Sequence, residues 1–367
     1  MMSWLRCLKR KLVYGSWRKR HRIAPDGYTI ILAAPMDMPF LLQLAFETLN
    51  SAKTDRCREI LVVPDGSLRD NGVRLKSIIK SACDARIRYI EPGLRWGFLM
   101  SHVHNHPAMM ALATESATCR YAFVHDLDAF LLEPDIIESM YDEVLEREMV
   151  AMGVSARWDP GFERLQMTIP GTWELFYDTC WIQKWPRQMM FGRKEMTSIG
   201  EIEFDSMLYP QYLDYGSGKV GISRRSHKIV HFNGTIRTYR MSQKKSARRI
   251  NDDLFRLLLL SLLETVTVPN NEQCVCPSVS TLALGLTDPS AKVQYLSDVN
   301  RNGYGEFRRM IERMCDALVF AGSRCAKIRE LIQQFDQHFA YNADERHDSA
   351  LSAGDVRRSG ISERRDS

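Results

Sequence analysis

The chain of 367 residues has no apolar run long enough to cross a bilayer. Its greasiest window, Leu257–Leu263, is seven residues held between Arg256 and Glu264, whereas a spanning helix needs roughly 18 to 20. The nine cysteines include no Cys-x-x-Cys pair. Cys274 and Cys276 form only a Cys-x-Cys, a poor zinc clip, and the odd count at irregular spacing argues for reduced thiols. No segment repeats at a solenoid period. Residues 1–22 lack the uninterrupted apolar core and small-residue cleavage site of a secretory leader, so a cytoplasmic location is expected. They also lack any acid. Their eight cations leave 42 Lys and Arg against 45 Asp and Glu elsewhere, a net −3, so the overall charge of +5 belongs to this arm. The body is mildly acidic, and no nucleic-acid partner is expected.

What is present is globular usage, 45% hydrophobic and 26% charged, which excludes disorder throughout. In the arm, Trp4, Leu5, Leu8, Leu12, Val13 and Trp17 interleave with the cations, a pattern suited to an anionic membrane surface and peripheral attachment. The expected organisation is a basic amphipathic arm over 1–22, a catalytic domain over 23–245, a helical region over 246–341 and a disordered tail over 342–367.

From Tyr28 the pattern alternates between strand and helix. Tyr28–Ala34, Glu59–Val63, Ala85–Ile90 and Tyr121–His125 read as strands; Phe40–Leu49, Val73–Ser81 and Pro107–Glu115 read as helices between them. Such alternation predicts an α/β fold, a doubly wound and mostly parallel sheet, with a C-terminal helical extension. Ligands of such sheets bind beyond the carboxyl ends of the strands. Pro35, Asp65 and the pair Asp126 and Asp128 sit at those ends. Residues 150–230, rich in Trp, Gly and Pro, read as a binding region laid over the scaffold. Ile229–Phe232 is a last strand turned by Asn233-Gly234; Asp252–Thr265 is a helix, Pro269–Ser290 a loop, and amphipathic helices follow between Gly305 and Ala340.

Asp126-Leu127-Asp128 ends an apolar strand, with Leu127 expected to tuck under while the carboxylates face the cleft. Hard divalent cations such as Mn²⁺ or Mg²⁺ prefer these oxygens and bridge to substrate phosphates. The segment YAFVHDLDAFLL, Tyr121–Leu132, resembles the DxD region of nucleotide-sugar glycosyltransferases with the GT-A fold. IVHFNG, Ile229–Gly234, resembles the C-terminal His-x-x-Gly element of family eight among them.

The resemblance implies a GT-A-like fold and transfer of a sugar from a nucleotide-diphosphate donor to a hydroxyl on a glycan, lipid or protein. Asp126, Asp128 and His231 would be metal ligands, with Asp126 and Gly234 also near the donor, and Ala34, Pro35 and Asp65 under the nucleobase and ribose. Family eight continues into Lys-Pro-Trp; here the chain reads Thr235-Ile236-Arg237-Thr238-Tyr239, and Arg237 would take the lysine's place on phosphate.

On the acceptor side stand Glu201, Glu203 and Asp205, with Glu203 and Asp205 the candidate catalytic acids, one serving as general base if the enzyme inverts. Trp158, Trp173, Trp181 and Trp185 either stack on sugars or fill the core. His102, His104 and His106 would share one face of a strand, which raises a metal-dependent hydrolase as an alternative. Pro107 and the lack of strand-like apolar context argue against such a site, and the GT-A resemblance, which places this stretch beside the donor pocket, implies a donor contact by His102 or Asn105. A sugar-phosphate nucleotidyltransferase, the other alternative, needs a Gly-rich basic loop where this chain has Ala34-Pro35-Met36-Asp37.

Overall fold

Strand-forming side chains set the frame in the computed structural model, which describes residues 17, 23–65, 72–91, 105–155, 165–242, 254–268, 274–287 and 301–339. Tyr28, Thr29, Ile30 and Ile31 favour extended chain and lie in β1 (Ala24–Pro35). Proline fits the first turn of a helix, where its missing N–H is not needed, and Pro39 opens α1 (Pro39–Ser51). There follow β2 (Cys57–Asp65), α2 (Gly72–Ala82), β3 (Ile87–Tyr89), α3 (Asn105–Ser116), β4 (Cys119–His125), β5 (Ala129–Leu131) and α4 (Ile136–Glu146). The second half adds β6 (Ala151–Ser155), β7 (Pro170–Asp178), α5 (Thr179–Ile182), β8 (Arg193–Thr197), β9 (Gly200–Phe204), α6 (Leu208–Asp214), β10 (Val220–Ile222) and β11 (Ile229–His231).

Seven strands form one sheet in the order β10-β6-β7-β4-β1-β2-β3, and all its pairings are parallel except those of β7, which runs against both β4 and β6. The expected doubly wound, mostly parallel sheet is the architecture found. The chain builds outward from β1 through β2 to β3, then returns to lay β4 on the opposite side of β1. The order therefore reverses between β1 and β4, the point at whose carboxyl-end side sheets of this kind take their ligands.

Two expectations need correction. Residues 150–230 are not a layer over the scaffold: β6, β7 and β10 complete the central sheet. All nine residues of β7 are buried, so this segment is core, with Phe176 set among the rings of Tyr28, Phe123 and Tyr141. The stretch assigned to a loop, Pro269–Ser290, contains the helix Val279–Thr287, because Val279, Leu282 and Ala283 recur at helical spacing and are buried.

The described chain divides into two compact units. The first comprises Met1–Asn233, Thr267–Val275 and Asp316–Ala321; the second comprises Gly234–Val266, Cys276–Cys315 and Gly322–Ser367. The second unit is helical, as expected of the C-terminal extension, with α7 (Thr235–Ser242), α8 (Leu254–Thr267), α9 (Val279–Thr287), α10 (Arg301–Cys315) and α11 (Ser323–Phe339). The leucine stripe of α8 is wholly buried, and the α10 residue Tyr304 donates to Asp336 of α11 at 2.6 Å. No helix among the described residues is long and apolar enough to cross a membrane.

Of the basic arm only Trp17 lies among the described residues, and the tail over 342–367 lies outside them. Trp17 donates its indole N–H to the Trp185 carbonyl at 2.8 Å, stands 5.8 Å from the Arg187 guanidinium and packs on the core of the first unit. At this residue the arm is part of the body.

Candidate functional site

The site begins with β4, whose last five residues, Tyr121–His125, are all buried between β1 and β7. A strand so enclosed has a fixed end. There the chain turns sharply, with Ala129 N donating to Asp126 O at 3.1 Å, and Leu127 tucks under at 2% exposure. Asp126 is left half-buried and Asp128 buried.

Past the turn, β5 pairs antiparallel with β11 in a separate two-stranded ribbon whose register sets His231 opposite Ala129. This register brings the imidazole to the aspartates. His231 Nε2 lies 3.1 Å from Asp128 Oδ1 and 3.4 Å from Asp126 Oδ2. The indole of Trp173 backs the imidazole, with ring centroids 4.6 Å apart. β11 ends because Asn233 and Gly234 both take left-handed φ, +47° and +76°, which turns the chain toward α7.

One potential ligand atom from each of Asp126, Asp128 and His231 lies within 4.8 Å of the others, and they form the one such cluster among the described residues. Two carboxylate oxygens and one imidazole nitrogen are a donor set that suits Mn²⁺ or Mg²⁺. The residues present thus fit the implied ion. Burial opposes the charged form of His231, but the Asp128 charge and hydrogen bonds to both aspartates outweigh it and lift the pKa to about 9. Buried His125 behaves alike: desolvation is overcome by Glu174, whose carboxylate is 2.7 Å from Nδ1, and its pKa is raised.

The raised value has a measurable consequence. A metal bound here would need the neutral ring, so below about pH 9 it would have to displace a proton from His231. Mn²⁺ affinity, followed by calorimetry, is expected to climb between pH 6.5 and 8 by up to about tenfold per unit. A flat profile would show that His231 is not a ligand.

The other predicted residues are placed as follows. Buried Ala34 and Pro35 end β1, and Pro35 is in register with Asp65 at the end of β2. Two strand spacings, about 10 Å, separate the β2 end from the β4 end. Asn105 opens α3; His102 and His104 lie outside the described residues, and His106 is on the helix α3 rather than on a strand. Gly234 and Arg237 belong to the second unit, with Arg237 exposed on α7.

Glu201 and Glu203 are exposed on β9 and face Lys194 of β8 at 3.8 and 3.7 Å. Asp205 is exposed and accepts from the backbone N–H of Ser206 at 2.6 Å as the chain enters α6. Trp181 is core, its indole N–H on Asp214 at 2.8 Å, and Trp158 is outside the described residues. Sequence reasoning passed over Glu174. A lone acid inside the apolar run Thr172-Trp173-Glu174-Leu175-Phe176 was the available signal.

No family model matches the chain, and no curated protein matches it in sequence. Among solved structures, a mannosyltransferase from Pyrobaculum calidifontis in complex with GDP-Man and Mn²⁺ is similar at 11% identity, with 98% of this chain and 88% of that one covered and a TM-score of 0.41. The galactosyltransferase LgtC, in complex with donor and acceptor sugar analogues, is similar at 12% identity over 54% of this chain and 73% of that one, TM-score 0.37. Glucosyl-3-phosphoglycerate synthase from Mycobacterium tuberculosis, in complex with Mn²⁺, UDP and glucosyl-3-phosphoglycerate, is similar at 11% identity and a TM-score of 0.31. The alignment spans 48% of this chain and 66% of the synthase, just under two thirds of its length.

Proposed function

We propose that this chain is a metal-dependent glycosyltransferase, moving a sugar from a nucleoside-diphosphate donor to a hydroxyl acceptor with Mn²⁺ or Mg²⁺. The observation that carries the reading is the meeting of Asp126, Asp128 and His231 at the carboxyl end of β4, beside the point where the strand order reverses. A metal held there supplies Lewis-acid stabilisation of the charge that grows on the departing diphosphate.

The chain's residues do the rest. Asp128 and His231 offer adjoining oxygen and nitrogen donors, and half-exposed Asp126 reaches either the ion's water or the donor ribose. The crest formed by Ala34, Pro35 and Asp65 receives the nucleoside, with Asp65 accepting from a base N–H or ribose hydroxyl. Burial of Asp128 strengthens the charge interactions that its carboxylate makes. Asp205, with Glu203 beside it in sequence, is assigned to the acceptor hydroxyl. The acceptor is a glycan, a lipid or a protein, and the basic arm favours one presented at an anionic membrane.

The test is a panel of nucleotide-sugars with Mn²⁺. Release of nucleoside diphosphate is expected from one donor, together with a rise in Tm given by UDP or GDP plus Mn²⁺ and by neither alone. Turnover should fall in Asp205→Asn while the nucleotide-linked rise persists. Zinc-dependent phosphoester cleavage, without any nucleotide-linked rise, would overturn the reading in favour of a hydrolase.

A further inference from the structure

The strand β7 is irregular where it passes the metal ligands. Its pairing with β6 runs from Gly153 opposite Leu175 to Ser155 opposite Pro170, so β6 advances two residues while β7 takes five. The surplus of three residues is a bulged irregularity, and bulges re-aim side chains beside functional sites. At its end Glu174 adopts φ of +47°, a left-handed conformation that costs an ordinary residue free energy and persists only where surroundings impose it. The neighbouring strand accommodates it with a glycine, since a Cβ on Gly153 would stand 2.6 Å from the Glu174 carbonyl oxygen.

The bulge delivers two side chains to one place. Trp173 goes against His231, and Glu174 goes beneath the turn that carries the aspartates. Glu174 is wholly buried. Its Oε1 accepts from the backbone N–H of Asp126 at 3.1 Å and lies 2.7 Å from His125 Nδ1. A carboxylate withdrawn this far from water, with its other oxygen Oε2 lacking a hydrogen-bond partner, is an expensive way to fill a core. Aliphatic side chains of similar size would pack there without that cost. What an aliphatic side chain lacks is an acceptor shared by the last residue of β4 and the first ligand.

We propose that Glu174 is a positioning residue for the metal centre: its carboxylate fixes the peptide joining His125 to Asp126, so that Asp126 and Asp128 present their oxygens toward His231. The role rests on the metal-dependent reading above and extends it to a residue that touches neither the ion nor the substrate.

The experiment is a titration of the full chain with Mn²⁺ alone, by calorimetry and by the paramagnetic resonance signal of free Mn²⁺, well below each variant's Tm. Glu174→Ala should bind at least tenfold more weakly. Glu174→Asp, one methylene short of both donors, should bind at least fivefold more weakly. Glu174→Gln keeps an acceptor oxygen at the same reach and should stay within threefold of the unaltered chain. Phe176→Ala, destabilised in the core two residues away, should keep its affinity, which separates loss of position from loss of stability. Unaltered affinity in Glu174→Asp, or in Glu174→Ala where it folds, overturns the role while leaving the metal site standing. Failure of the unaltered chain to take up Mn²⁺, with or without UDP, overturns the metal-dependent reading and the role together.

Discussion

Asp128→Ala is expected to lower Mn²⁺ affinity by about 100-fold or more, equivalent to ~2.7 kcal/mol, and to abolish sugar transfer. Asp128 is the most enclosed of the three candidate ligands at 4% exposure, and its Oδ1 is the nearer carboxylate oxygen to His231 Nε2. Truncation removes an anionic donor and leaves His231 with Asp126 as its remaining acid in the cluster. Metal titration reads the first effect and release of nucleoside diphosphate from the donor the second; the nucleotide-linked rise in Tm should vanish as well. Because Asp128 also pairs with the buried imidazole of His231, the metal-free variant should melt below the unaltered protein, and the titration is run well below its Tm. Loss of folding together with binding would instead make Asp128 a structural acid.

Phe176→Ala should cost about 3 to 5 kcal/mol of stability, read as a shift of the chemical denaturation midpoint with the slope unchanged. Phe176 has no exposure. Its ring centroid is 4.6 Å from Phe123 on β4, 5.3 Å from Tyr28 on β1 and 5.7 Å from Tyr141 on α4. These neighbours belong to separate elements held apart by backbone pairing, so they cannot collapse into the space left behind, and the cavity penalty applies in full. A loss under 1 kcal/mol would mean that the four-ring cluster is not a structural centre.

The comparison of these two residues explains what could be read in advance. Asp126 and Asp128 were legible because they end a short apolar run that can only be a buried strand, and because an α/β alternation dictates where ligands gather. The strand carrying His231 was legible from the Asn233-Gly234 turn that closes it, but His231 itself was singled out by the resemblance of Ile229–Gly234 to a His-x-x-Gly element. Phe176 was not, because β7 pairs with β4 some fifty positions away and runs against it, and nothing local records a partner so distant. The same holds for β6 and β10, which are short and separated by tens of residues from the strands they border. Glu174 escaped for a different reason. Its role depends on a bulge, and a bulge is a mismatch between two strands rather than a property of either one. The helix Val279–Thr287 was hidden by flanking proline and serine, while the spacing of its apolar residues was present throughout.

Asp128 and His231 are 103 positions apart, and the chain between them supplies β6, β7 and β10. The strand that carries His231, β11, is paired with β5 through three residue pairs, and this ribbon is not part of the seven-stranded sheet. Three pairs alone hold a ribbon weakly. A cation gripped from both sides would therefore act as a clasp, closing a loop that contains almost half of the sheet and making the end of that loop as hard to open as its ligands are to release.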